Sequence, residues 1–166
     1  MISFFKNIYL TGRFFAVFGS MVVLFGFSFV WPVLFPLAQA ITVVGLAIVL
    51  ADLFLLFNPG LKMECSRELP RVFSMGSDNP VKVTIRNNYG LSLNVTLIDE
   101  LPKQMQERKF SISFTLAPSE EKVQSYIMRP LTRGEYVFGK MNVFVTSFIR
   151  MVERRIPFAL ETQSAV

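Results

Sequence analysis

The chain has 166 residues, 52% of them hydrophobic, with 17 lysines and arginines against 12 acids and a net charge of +5. It has no histidine and one cysteine, Cys65. This excludes disulfide frameworks, zinc sites of the usual Cys/His kinds, and Ser-His or Cys-His catalysis.

In chain order, a short segment over 1–13 carries Lys6 and Arg13. From Phe14 to Phe57 there follow 44 residues with one ionisable side chain, Asp52. A helix crossing roughly 30 Å of hydrocarbon takes about 20 apolar residues, so a block of this length predicts two crossings. Trp31-Pro32 and Phe35-Pro36 sit near its middle, where the chain has to reverse. The expectation is a transmembrane hairpin of helices over about 14–35 and 38–57. A cleaved signal peptide is the rival reading. Its apolar region is about 7–15 residues long, shorter than Phe14–Leu37, and a second apolar segment follows here at once.

Lys6 and Arg13 precede the first helix, Lys62, Arg67 and Arg71 follow the second, and the turn has no basic residue. Positive flanks on one side place both ends in the cytoplasm. Asp52 is the one ionisable residue at membrane depth, where an acid is a functional candidate by default. The structural alternative has it near the interface, reaching water or Arg13 on the partner helix. Cys65 reads as a small strand residue rather than a reactive thiol or an acylation site.

Asn58-Pro59-Gly60 stops the second helix. Over 58–61 it serves as a linker to a domain over 62–160, with a tail at 161–166. From here the hydrophobic period becomes two. Val81, Val83 and Ile85 alternate with Lys82, Thr84 and Arg86, and Leu91, Leu93, Val95 and Leu97 with Ser92, Asn94 and Thr96. Phe110–Leu116 and Met141–Thr146 behave alike, although Phe144 interrupts the polar face. Alternation with one wet face predicts antiparallel sheet. Strands are expected at about 62–67, 80–87, 91–99, 108–116, 121–129, 135–146 with a bend at Gly139, and 150–158. The fold class expected is thus an all-β, immunoglobulin-like antiparallel sandwich behind a membrane hairpin.

Glu153, Arg154 and Arg155 suit a charged final strand that guards an edge. Asp99-Glu100 reads as a solvated turn. No phosphate loop, metal cluster or nucleophile–base pair appears, so neither catalytic residues nor a cofactor are expected. Fifteen of the 17 basic and 11 of the 12 acidic residues follow Asn58. They are spread rather than blocked, which does not point to nucleic acid. A basic excess beside a bilayer suits an anionic lipid surface better.

Several pieces recur in a recognisable order: Leu10-Thr11-Gly12-Arg13, Ala51-Asp52-Leu53, Arg67-Glu68-Leu69-Pro70, Val81–Asn87, Leu97–Pro102, Tyr126–Pro130, and Arg133-Gly134-Glu135-Tyr136-Val137-Phe138-Gly139. Together they resemble the N-terminal part of the bacterial domain-of-unknown-function-58 membrane proteins. The Arg-Gly-x-Tyr-x-Phe-Gly run is the most specific piece. The resemblance implies a two-helix anchor in the inner membrane and a β-sandwich, which in that family precede a von Willebrand factor A-like domain. It also implies a protein partner such as a MoxR-type AAA+ ATPase or an A-like domain. This chain departs from the family after the Arg-Gly run, reading Thr146-Ser147-Phe148-Ile149-Arg150-Met151 where an Asp-Pro-x-Gly-Leu-like turn is usual. It also lacks the metal-binding motif of A domains.

Read from the residues alone, Arg133-Gly134 turns into a strand, Tyr136 and Phe138 share a face, and Gly139 permits a bend or bulge. Fold maintenance is the expected role. The alternative has Arg133 and Glu135 touching a neighbour. The function expected is a non-catalytic, membrane-anchored interaction module, with a lipid- or substrate-binding accessory subunit or a fragment of a longer A-domain protein as alternatives.

Overall fold

A computed structural model describes residues 6–105, 110–160 and 162–165. Two N-terminal apolar helices are followed by an all-β antiparallel sandwich. The chain divides into two compact units. One is Met1–Pro59 with Thr146–Arg154, and the other is Gly60–Val145 with Arg155–Val166.

In the first unit, strand β1 (Ile8–Leu10) leads into helix α1 (Gly12–Val30). Thr11 caps α1, its hydroxyl accepting from the Phe14 amide at 3.5 Å. A 3-10 turn, Pro32–Leu34, reverses the chain into α2 (Phe35–Phe57). The first helix therefore stops earlier than expected. Phe35-Pro36 opens the second helix, because a proline in the first turn gives up no hydrogen bond. The helices rise about 28 and 34 Å at 1.5 Å per residue, close to the hydrocarbon thickness of a bilayer.

The seam between the helices uses small and flexible side chains. Met21 of α1 is buried against Gly45 of α2, and Ser28 and Ala38 are buried as well. The Met21 Cε lies where a Cβ on Gly45 would stand, so a larger residue there requires the flexible Met21 side chain to move. Hydroxyl groups within the helices are satisfied locally. Ser20 donates to the Val17 carbonyl at 2.7 Å, Ser28 to Phe25 at 2.7 Å, and Thr42 to Ala38 at 2.8 Å.

The second unit opens with β2 (Met63–Glu68), β3 (Asn79–Asn87), β4 (Leu93–Asp99), β5 (Ser111–Leu116) and β6 (Glu121–Met128). Next come β7 (Glu135–Phe138), β8 (Met141–Thr146), β9 (Val152–Phe158) and β10 (Thr162–Ala165). One sheet has the order β2-β3-β6, and a second sets β8, β4 and β5 side by side. Burial on β3 alternates residue by residue, and Val81, Val83 and Ile85 are fully enclosed with Leu93, Val95, Leu97, Val143 and Val145. Alternation read from the sequence thus locates the core correctly. The expected strand over 135–146 is two strands parted at Gly139-Lys140, and residues 108–109 of the strand expected over 108–116 lie outside those described.

Three expectations need correction. The segment 1–13 is more than a lead-in, since Ile8–Leu10 pairs antiparallel with Val152–Arg154 of β9. That pairing, with Asn142 of β8 bound by Arg155 at 2.7 and 2.9 Å, means β9 is no edge strand. The tail over 161–166 holds β10, antiparallel to β7 with Ser164 opposite Tyr136; residues 161 and 166 lie outside those described.

Candidate functional site

Asp52 is fully enclosed five residues before the end of α2. Its carboxylate accepts three hydrogen bonds, all from one distant segment of the same unit. The Ser147 hydroxyl donates to Oδ1 at 2.5 Å, and the Met151 and Val152 amides both donate to Oδ2 at 2.8 Å. Ser147 Oγ in turn accepts from the Ile149 amide at 2.9 Å. The expected partnership with Arg13 does not form. Arg13 is exposed, and every partner of Asp52 among the described residues is on the 147–152 loop. Backbone amides satisfy a buried carboxylate at fixed geometry, whereas a long arginine would have to be ordered to reach it.

Thr11 holds the other side of that loop. Its hydroxyl donates to the Arg150 carbonyl at 2.6 Å and the Met151 carbonyl at 3.1 Å, and its amide to the Met151 carbonyl at 3.2 Å. Arg150 has a positive φ of 60°, a strained conformation for a residue with a side chain. These bonds offset that cost. Arg154 closes the end of α2, Nη1 donating to the Leu56 carbonyl at 2.6 Å with the guanidinium 4.9 Å from the Phe57 ring centre. It thereby fills an acceptor that a helix end leaves open. The sequence marks Asp52, but nothing in it signals the 147–152 partners, because the two halves are about a hundred residues apart.

The Arg133–Gly139 run belongs to the second unit. Tyr136 and Phe138 are enclosed, packed edge-on and tilted against Phe73 at 6.3 and 6.2 Å. The Tyr136 hydroxyl donates to the Thr132 carbonyl at 2.9 Å. Arg133, Gly134 and Glu135 are exposed, and the Gly134 φ of 145° lies where only glycine is unstrained. A Cβ on Gly139 would meet Glu100 Oε2 at 2.6 Å and Glu100 Cβ at 2.9 Å. Three of the six residues are thus core or close-packed, and three form an exposed turn.

The second unit also holds a buried polar network that the sequence does not signal. Arg67 Nη1 and Asp99 Oδ1 form an ion pair of 2.6 Å with both side chains fully enclosed. Asp99 therefore does not sit in a solvated turn. Its second oxygen accepts from the Tyr126 hydroxyl at 2.7 Å. Arg67 also donates to the Leu160 carbonyl and, at 3.3 Å, to Gly139, and stacks 4.7 Å from the Phe138 ring centre. Burial raises the Asp99 carboxyl above its ordinary range, while the Tyr126 hydroxyl and Arg67 oppose the shift. The Tyr126 phenol is pushed up by burial and by the Asp99 charge, so it stays a donor. Cys65, half-buried beside Met141 with its sulfurs 3.1 Å apart, is pushed up to about 12 by burial and Asp99. A thiol held protonated in this way is a poor nucleophile.

No family model matches the chain, and no curated protein matches it. Among solved structures it is similar to PapD-like domain 7 of human CEP192, with 19% identity and a TM-score of 0.46, covering 64% of this chain and 87% of that one. It is also similar to the CARDB domain of PF1109 from Pyrococcus furiosus, with 15% identity, a TM-score of 0.42, and 61% and 90% coverage. A β-glucosidase from Listeria innocua matches at 18% identity and a TM-score of 0.31, covering 61% of this chain but 16% of the enzyme. The PapD-like and CARDB domains are immunoglobulin-like.

Proposed function

We propose that this chain is a membrane-anchored, non-catalytic interaction module, with a helical hairpin in the bacterial inner membrane and its sandwich on the cytoplasmic side. The observation that carries the reading is the outward face of the hairpin. Val22, Val23, Phe29, Val43, Leu50 and Phe54 are all more than half exposed. Helices that are apolar all round and uncovered need a solvent other than water. The locally satisfied hydroxyls of Ser20, Ser28 and Thr42 fit the same requirement.

Orientation rests on Lys6, Arg13, Lys62 and Arg71 as cytoplasmic charges. Arg150 and Arg154, which belong to the same unit as the helix ends, add to them, whereas Arg67 is neutralised by Asp99. The partner implied by the family resemblance is a MoxR-type AAA+ ATPase or a von Willebrand factor A-like domain. Exposed Arg133 and Glu135 are the residues we assign to that contact.

Alkaline carbonate extraction tests the anchor, and release of the full chain into the soluble fraction sinks it. A reporter fused after Val166 that is active only outside the cytoplasm reverses the orientation. A photo-crosslinker at position 135 is expected to capture an ATPase or A-like domain. Absence of such adducts there and across the exposed sandwich faces removes the partner assignment.

A further inference from the structure

We infer that the loop over 147–152 is a third membrane contact, in which Phe148 enters the boundary between headgroups and acyl chains while Arg13 and Arg150 hold anionic phospholipid. The inference rests on the membrane reading above and deepens it by naming the lipid class and the residues.

Depth is the first argument. Asp52 lies five residues, roughly 8 Å of helix rise, inside the end of α2. The loop bonds to it through Ser147, Met151 and Val152, so the loop lies beside the last turns of α2 rather than beyond them. Met151 lines the same apolar groove as Val17, Met21, Gly45 and Ile48. If α2 spans the hydrocarbon, this loop reaches its margin.

Satisfaction of the backbone is the second. Irregular backbone at that depth survives only where its polar groups have partners. Here the Met151 and Val152 amides go to Asp52, the Ile149 amide to Ser147, and the Arg150 and Met151 carbonyls to Thr11. A water-exposed loop would need none of this. On this account Asp52 sits at membrane depth to satisfy the loop's polar groups.

Charge and shape are the third. Phe148 is 68% exposed at the loop's turn, where burying an aromatic ring in an interface is favourable. The described part of the unit carries Lys6, Arg13, Arg150 and Arg154 against Asp52 and Glu153. Thr11 ties the Arg150 carbonyl to the start of the helix that bears Arg13, so both exposed guanidinium groups belong to the same end of the hairpin. An anionic headgroup surface complements that end.

The test uses the full chain in nanodiscs with Phe148→Trp in a Trp31→Phe background. The indole at position 148 is expected to be quenched by a shallow nitroxide on lipid and shielded from iodide. A nitroxide on phosphatidylglycerol should quench it more than one on phosphatidylcholine. That excess should fall about five-fold on Arg13→Gln or Arg150→Gln. Full access to iodide without lipid quenching overturns the inference, as does shielding from both quenchers, which would mean that protein covers the site. Equal quenching from both lipids overturns the anionic preference. The native Trp31, read in the unaltered chain, separates the two levels. If lipid nitroxides reach Trp31 but not position 148, this inference alone fails; if they reach neither, the anchor fails as well.

Discussion

Asp52 and Ser147, ninety-five residues apart, share a 2.5 Å hydrogen bond whose acceptor also holds the Met151 and Val152 amides. Asp52→Ala leaves a hydroxyl and two amides without their acceptor, each costing about 1–3 kcal/mol if it stays dry. The loop should therefore open more often by roughly 3 kcal/mol, and tryptic cleavage after Arg150 should quicken on the order of 100-fold. Asp52→Asn keeps an acceptor and should fall between. An unchanged cleavage rate in the alanine variant would show that the loop is held by something else.

Arg67 and Asp99 should behave as a buried pair. Removing one partner strands a charge, so Arg67→Met or Asp99→Leu should each cost about 3–5 kcal/mol in urea unfolding of the detergent-solubilised chain. The double variant should be less destabilised than the sum of the two, because neither charge is left behind. Strict additivity would mean that the two groups are not coupled. Tyr126→Phe should cost less, about 1–2 kcal/mol, since it removes one hydrogen bond from a carboxylate that retains Arg67.

What could be read from the sequence follows from the range of each interaction. Val81, Val83 and Ile85 announce a strand because the core face repeats every second residue, and the run from Phe14 to Phe57, ionisable only at Asp52, announces helices because its composition is nearly uniform. Uniformity also hides detail. With apolar residues on every side, nothing marks Met21 and Gly45 as the seam until the close approach is seen. Asp99 reads as solvated because Glu100 adjoins it, yet its burial is decided by Arg67 and Tyr126 on the other sheet. β1 and β10 are three and four residues long, too short for a period to show. The Arg133–Gly139 run was legible as turn, aromatic pair and bend, since each element there is local.

Cys65 should resist alkylation in the folded chain. With its thiol pushed up to about 12 from an ordinary 9.0, about one molecule in 10⁴ is thiolate at pH 8. Iodoacetamide should then react on the order of 10³-fold more slowly than after unfolding. The folded state holds the proton more tightly than the unfolded one. The thiol's contribution to stability is therefore complete below pH 9 and declines as pH rises towards 12. Equal alkylation rates before and after unfolding would place the thiol in open solvent.

Gly139 tests whether the most specific stretch of the resemblance is held by packing. A methyl group there meets Glu100 at its Cβ as well as at its carboxylate, so rotating the carboxylate away does not remove the clash. The strand cannot simply retreat, because the Gly139 amide donates to the Glu100 carbonyl at 2.9 Å and the Glu100 amide to Lys140 at 3.2 Å. Glu100 also accepts from the Asn142 side chain at 3.0 Å, tying the clash to β8. Gly139→Ala should thus destabilise by about 1–3 kcal/mol with the urea m-value unchanged, whereas Glu135→Ala on the exposed turn should leave stability within about 0.5 kcal/mol. A neutral Gly139→Ala would mean that the bend is soft. The glycine would then be better explained by a partner's close approach than by Glu100.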